Sequence, residues 1–81
     1  MKPVIGIIGG QGQMGQWFKR FFAGQGLDVL VGEPGLTPTC PEVAAQVDVI
    51  IISVPLHLTE AVIAELAPHI RPEALLTDLT S

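Results

Sequence analysis

Residues 3–15 read Pro3-Val4-Ile5-Gly6-Ile7-Ile8-Gly9-Gly10-Gln11-Gly12-Gln13-Met14-Gly15, and this stretch decides the fold. Its first part is a short run rich in Ile and Val, with Pro before it and Gly after it. That is the pattern of a buried β-strand. From Gln11 to Gln25 the period changes. Met14, Trp17, Phe18, Phe21 and Phe22 fall at i, i+3, i+4, i+7 and i+8, which predicts a helix with those five side chains on one face, and the helical spacing of Trp17 and the Phe residues marks them as core or interface. Between strand and helix, Gly10, Gln11, Gly12, Gln13, Met14 and Gly15 match G-x-G-x-x-G in the context that gives the motif its meaning. Gly10 allows the tight turn, Gly12 leaves room for a diphosphate to approach the backbone, and Gly15 lets the helix pack close to the sheet. The free N–H groups and positive dipole at the helix start then attract the diphosphate. A glycine-rich turn with no ligand explains the glycines alone. It does not explain why strand, loop and helix agree around them.

Working outward, residues 27–32 (LDVLVG) read as a second strand, with Glu33 just past its end. Pro34-Gly35 marks a turn. Residues 37–47 hold a short helix, capped by Thr39 or Cys40 with Pro41 at its first position. Residues 47–54 (VDVIIISV) are the strongest strand, apolar without alternation and so expected to be buried on both faces. Pro55 ends it. Thr59 caps a third helix through about Ala67, with Leu58, Val62 and Leu66 on its buried face, and Pro68 and Pro72 terminate it. Residues 75–79 (LLTDL) form a last strand. The order β-α-β-α-β-α-β implies a parallel sheet with right-handed crossovers. The predicted fold is α/β, a Rossmann-like three-layer sheet that is incomplete, with strand order 2-1-3-4. Ligands bind at the switch point between strands 1 and 3, beyond the carboxyl ends.

Composition narrows the function. Charged residues are 15% of the 81, and the formal net charge is −4 with four cationic side chains. That balance argues against nucleic-acid binding by phosphate neutralisation. The single cysteine, Cys40, excludes an intrachain disulfide framework and a Cys-rich metal site. No apolar run approaches the length of a membrane span. Met1-Lys2-Pro3 leads straight into a strand, so neither a signal peptide nor a membrane partner is expected, and the chain is expected to be cytoplasmic.

Beside the glycine loop, Glu33 follows Gly15 by the interval at which a carboxylate accepts hydrogen bonds from an adenosine ribose. The same charge repels a 2′-phosphate, and no Lys or Arg lies between Glu33 and Glu60 to attract one. NAD is therefore expected as cofactor in preference to NADP. Ser53, Val54 and Pro55 end the third strand and are expected to line the same crevice. His57 is near enough in sequence to contact cofactor or substrate, although a loop histidine is more often solvated. His69 is expected at the surface and Cys40 as an inert buried thiol. No metal-ligand spacing, nucleophile elbow or P-loop ending is present.

Three segments also resemble the prephenate dehydrogenase (TyrA) family: residues 5–15, the run Ile51-Ile52-Ser53-Val54-Pro55-Leu56-His57-Leu58-Thr59-Glu60, and Leu76-Thr77-Asp78-Leu79-Thr80-Ser81, which looks like an Asp-x-x-Ser element. The resemblance implies an NAD-dependent oxidative decarboxylation of prephenate or arogenate in tyrosine biosynthesis, by a protein that forms homodimers. It gives Ser81 the role of positioning a catalytic His and the substrate hydroxyl. That His belongs to a later His-Pro motif, and a still later Arg holds the substrate carboxylate. This chain contains neither, nor the family's helical dimerisation domain. Residues 1–81 are thus expected to be a partial dinucleotide-binding domain, inactive alone. Two other readings remain open here: the cofactor domain of another NAD(P)-dependent dehydrogenase or reductase, and a stand-alone nucleotide-binding module.

Overall fold

The computed structural model describes residues 2–9, 12–33, 35 and 37–78. Ile and Val dominate the strands because β-branched side chains pack well on a pleated surface. The elements run β1 (Val4–Ile8), α1 (Gln13–Gly24), β2 (Asp28–Gly32), α2 (Cys40–Ala44), β3 (Val49–Ile52), α3 (Leu56–Leu66), a 3₁₀ turn at Ala67–His69, and β4 (Leu75–Asp78). The four strands form one parallel sheet in the order β2-β1-β3-β4, as the sequence predicts.

Period-two alternation divides β1 and β3 between two cores. Ile8, Ile50 and Ile52 face α2 and α3, where Cys40, Val43, Ala44, Val47 and Leu66 complete a fully buried cluster. Ile5, Ile7 and Ile51 face α1 and pack against Phe18 and Phe22. Gly6 is the tightest point of the first core. A Cβ there would lie 2.8 and 3.0 Å from the Val47 methyls and 3.1 Å from Val43.

The structure sharpens the sequence reading of the helices in three places. Of the five apolar residues predicted for one face of α1, core or interface, Phe18 and Phe22 pack on the sheet, while Met14, Trp17 and Phe21 are exposed. One helix cannot turn a face that wide onto the sheet, and Gly15 is its one buried residue. The third helix begins at Leu56, not at Thr59, because Pro55 already serves as its N-cap. Thr59 therefore lies within its first turns, buried, with its hydroxyl donating to the Pro55 carbonyl at 3.4 Å. The buried face becomes Thr59, Val62, Ile63 and Leu66, and Leu58 turns outward. The second helix is shorter than residues 37–47, and of the two predicted caps it takes Thr39, with Cys40 as its first residue. Thr39 Oγ1 accepts from the Glu42 N–H and Glu42 accepts from the Thr39 N–H, a closed capping box.

At the amino edge of the sheet, Asp48 ties three strands. Its carboxylate accepts from the Val4 N–H at 2.8 Å and from Arg71, its N–H donates to the Val4 carbonyl, and its carbonyl accepts from Leu75. The Val4 N–H, aided by Arg71, holds the Asp48 carboxyl below its ordinary value. A carboxylate with a depressed folded-state pKa stabilises the fold above its unfolded pKa, and that contribution is lost as pH falls through the folded value. The urea midpoint should accordingly drop as pH is lowered through and below the ordinary Asp range of about 4, and Asp48→Asn should flatten that slope. A variant that titrates like the parent would remove Asp48 from this role. Gly6→Ala should cost about 1–3 kcal/mol by overpacking against Val43 and Val47, read from the same urea transitions.

Candidate nucleotide-binding site

The three strands that carry the motifs end side by side. The Gly9 N–H donates to the Gly32 carbonyl and the Ser53 N–H donates to the Ile8 carbonyl, each at 2.8 Å. These bonds bring the start of the glycine loop, Glu33 and Ser53 to one edge of the sheet, at the switch point where β2 and β3 lie on opposite sides of β1. Gly10 and Gln11, the first two residues of the predicted loop, lie outside the described residues, as does Ser81.

Gly12 is the N-cap of α1. A Cβ on Gly12 would have nothing within 4 Å, so its backbone faces open space. No side chain caps the helix and no acidic residue lies in its first turn. A twelve-residue helix thus presents its positive end with no carboxylate in its own first turn, which suits a diphosphate. Gln13 and Met14 are exposed beside it, and Gly15 is buried under the first turn. Glu33 is half-buried directly after β2. Ser53 and Val54 are half-buried and Pro55 is exposed at the N-cap of α3. His57 lies in the first turn of α3, exposed, and His69 is exposed on the 3₁₀ turn, as expected. Cys40 is a free, buried cysteine whose thiol pKa is pushed up by burial, with the Glu65 and Glu33 charges adding to the effect, which fits an inert thiol. Among the described residues no group of His, Cys, Asp or Glu is arranged to hold a metal ion. Among the described residues no helix is long and apolar enough to cross a membrane.

Gly9 is the residue that motif reading passed over. Its φ of +85° closes the turn out of β1, and a Cβ on it would collide with the Ser53 carbonyl oxygen and lie 2.8 Å from Val54 Cγ1. The doubled glycine, Gly9-Gly10, was its only signal in the sequence. Gly10 is in the match to G-x-G-x-x-G, but Gly9 carries the close approach between loop and β3.

A parallel sheet in this order, with a glycine loop and an open helix N-terminus at its switch point, defines a dinucleotide-binding α/β domain of the Rossmann type. The family described as "Prephenate dehydrogenase, nucleotide-binding domain" matches residues 32–81, and the chain belongs to that family. It is 38% identical over 91 aligned residues to a Methanocaldococcus jannaschii protein described as "Probable arogenate/prephenate dehydrogenase", covering 95% of this chain and 20% of that protein. It is 38% identical over 81 residues to the T-protein of Enterobacter agglomerans, covering all of this chain and 21% of the relative. The chain therefore spans about a fifth of the length of these relatives. Among solved structures, a semialdehyde dehydrogenase NAD-binding protein from Cupriavidus necator, in complex with calcium and NAD, shares the fold. Its TM-score is 0.73 at 24% identity, covering 98% of this chain and 33% of that one.

Two glycine substitutions should separate strained from tolerant positions. Gly9→Ala forces a side chain into left-handed backbone and into a carbonyl, and should cost at least about 1–3 kcal/mol. Gly24→Ala, at the end of α1 with nothing within 4 Å, should instead stabilise by up to about 0.5–1 kcal/mol. Equal unfolding midpoints for the two variants would contradict this assignment of Gly9.

Proposed function

We propose that this chain binds NAD as the cofactor part of a cytoplasmic prephenate or arogenate dehydrogenase, a longer homodimeric enzyme of which residues 1–81 are a partial dinucleotide-binding domain. The observation that supports this most strongly is the pairing of Gly9 with Gly32 and of Ser53 with Ile8, which sets the start of the glycine loop beside Glu33 and Ser53 at one sheet edge, in a chain of this family. NAD held there would supply the hydride acceptor for oxidation at the hydroxyl-bearing ring carbon of the substrate, the oxidation that accompanies loss of carbon dioxide and aromatisation of the ring.

The chain's own residues supply binding and orientation. Backbone N–H groups of Gly12, Gln13, Met14 and Gly15 hold the diphosphate, with Gly10 and Gln11 leading into the loop. The Glu33 carboxylate accepts from the ribose hydroxyls and repels a 2′-phosphate, which favours NAD over NADP. Ser53, Val54 and Pro55 bound the central part of the crevice. Ser81, following the Asp-x-x-Ser resemblance, positions the catalytic His and substrate hydroxyl in the longer protein. The NAD bound in the Cupriavidus necator structure supports the choice of a nicotinamide dinucleotide on this fold.

Calorimetric titration of the folded chain should show binding of NAD in preference to NADP. Gly12→Val should abolish binding by filling the space open above the helix start. Glu33→Ala should weaken NAD by about tenfold or more, since each hydrogen bond to a charged group contributes about 1.5–3 kcal/mol, and should narrow the preference over NADP. Unchanged affinity in Gly12→Val would remove the basis of the assignment. The 81-residue chain mixed with prephenate and NAD should give no turnover, and steady NADH production would show that the catalytic groups lie within it.

A further inference from the structure

The two faces of the sheet are covered unequally. α2 and α3 share one face, and α1 alone has the other. Because α1 connects β1 to β2, it lies over that half of the sheet. The face of β3 and β4 bearing Val49 and its register partner Leu75 extends beyond it. Met14, Trp17 and Phe21 are 55%, 49% and 45% exposed, and Leu75 is 61% exposed.

The helical wheel shows that these residues belong together. Gly15, Phe18 and Phe22 mark the sheet-facing direction of α1. At about 100° per residue, Met14, Trp17 and Phe21 centre on a flank roughly 100° away, and Lys19 falls on the opposite flank. For a right-handed crossover, the Trp17 flank looks toward β3 and β4, and the Lys19 flank looks toward the outer edge of β2. The Trp17 and Phe21 rings stack on each other, 5.3 Å apart and 7° from parallel, so the flank is an ordered apolar wall.

We propose that this trough, walled by Met14, Trp17 and Phe21 and floored by Val49 and Leu75, seats an amphipathic helix contributed by the same polypeptide. Its source is sequence outside the fifth of the relatives' length that this chain matches. Area selects this occupant over a second copy. Side chains of this size carry about 150–250 Å² each and are about half exposed, so the trough offers about 400 Å². A stable interface between separate chains buries about 800 Å² per partner. A tethered helix escapes that requirement, because attachment raises its effective concentration to about millimolar. A right-handed connection stepping outward from β4 runs on the α2 and α3 face, so the occupant comes from farther along the chain. It presents apolar residues at i, i+3, i+4 and i+7.

Hydroxyl-radical footprinting of the 81-residue chain and of the full-length protein tests this, read residue by residue. Met14, Trp17 and Phe21 should lose most of their oxidation in the full-length protein relative to His69, and the 81-residue chain should sediment as a monomer across the micromolar range. The double substitution W17S/F21S removes ring contacts in both proteins and should lower the urea midpoint of the full-length protein by clearly more than that of the 81-residue chain. Equal oxidation in the two proteins, a dimer of the 81-residue chain that protects the same residues, or a midpoint change at least as large in the short chain would each overturn the proposal. None of these readouts involves a nucleotide, so they stand or fall apart from the cofactor titration.

Discussion

Two backbone hydrogen bonds at the carboxyl edge of the sheet, from Gly9 to Gly32 and from Ser53 to Ile8, hold the rest of the site in place. They extend the parallel ladders by one residue past the ends of β1 and β3. The glycine loop therefore leaves the sheet between two neighbours whose positions are already fixed. Gly9 has to be glycine for this to work, since its positive φ and its contact with the Ser53 carbonyl leave no room for a side chain. Sheet pairing, loop direction and the aim of α1 thus meet at one residue. Asp48 does the corresponding work at the opposite edge, where its carboxylate joins the start of β1 to Arg71 and its carbonyl receives β4.

The packing explains why so small a chain has two cores. Strand residues alternate between faces, and the crossovers of opposite sense put α2 and α3 on one face and α1 on the other. The better covered face is fully closed around Val43, Val47, Ile50, Ile52 and Leu66. The face under α1 is closed only where Phe18 and Phe22 reach it. The apolar surplus on α1 and β4 follows from that imbalance, and gives the trough its chemistry.

Much of this was legible in the residues. Strand positions follow from runs of Ile and Val, and the parallel sheet follows from the alternation of strand and helix with right-handed crossovers. Thr39 or Cys40 with Pro41 after it marked a helix start, and the structure takes Thr39, which closes a capping box with Glu42. The reading failed where tertiary contacts choose among equivalent local options. Residues 14, 17, 18, 21 and 22 all fit one broad apolar face, but a helix on a flat sheet buries only a narrow stripe. Either Leu58 or Thr59 fits the period of the third helix. The buried position goes to Thr59 because Pro55 starts the helix early, which rotates Leu58 outward while the Pro55 carbonyl satisfies the threonine hydroxyl.

By itself, the sequence determined the parallel α/β architecture, the change from strand to helix across the glycine motif, and the placing of Glu33 and Ser53 just past the ends of two strands. Periodicity and turn chemistry are local properties, and they survive in the string. Only the tertiary structure decided that Gly9, just outside the G-x-G-x-x-G match, comes up against the end of β3, and that half of the aromatic face of α1 remains outside the core. Both depend on distances between segments far apart in the chain, which no local pattern records.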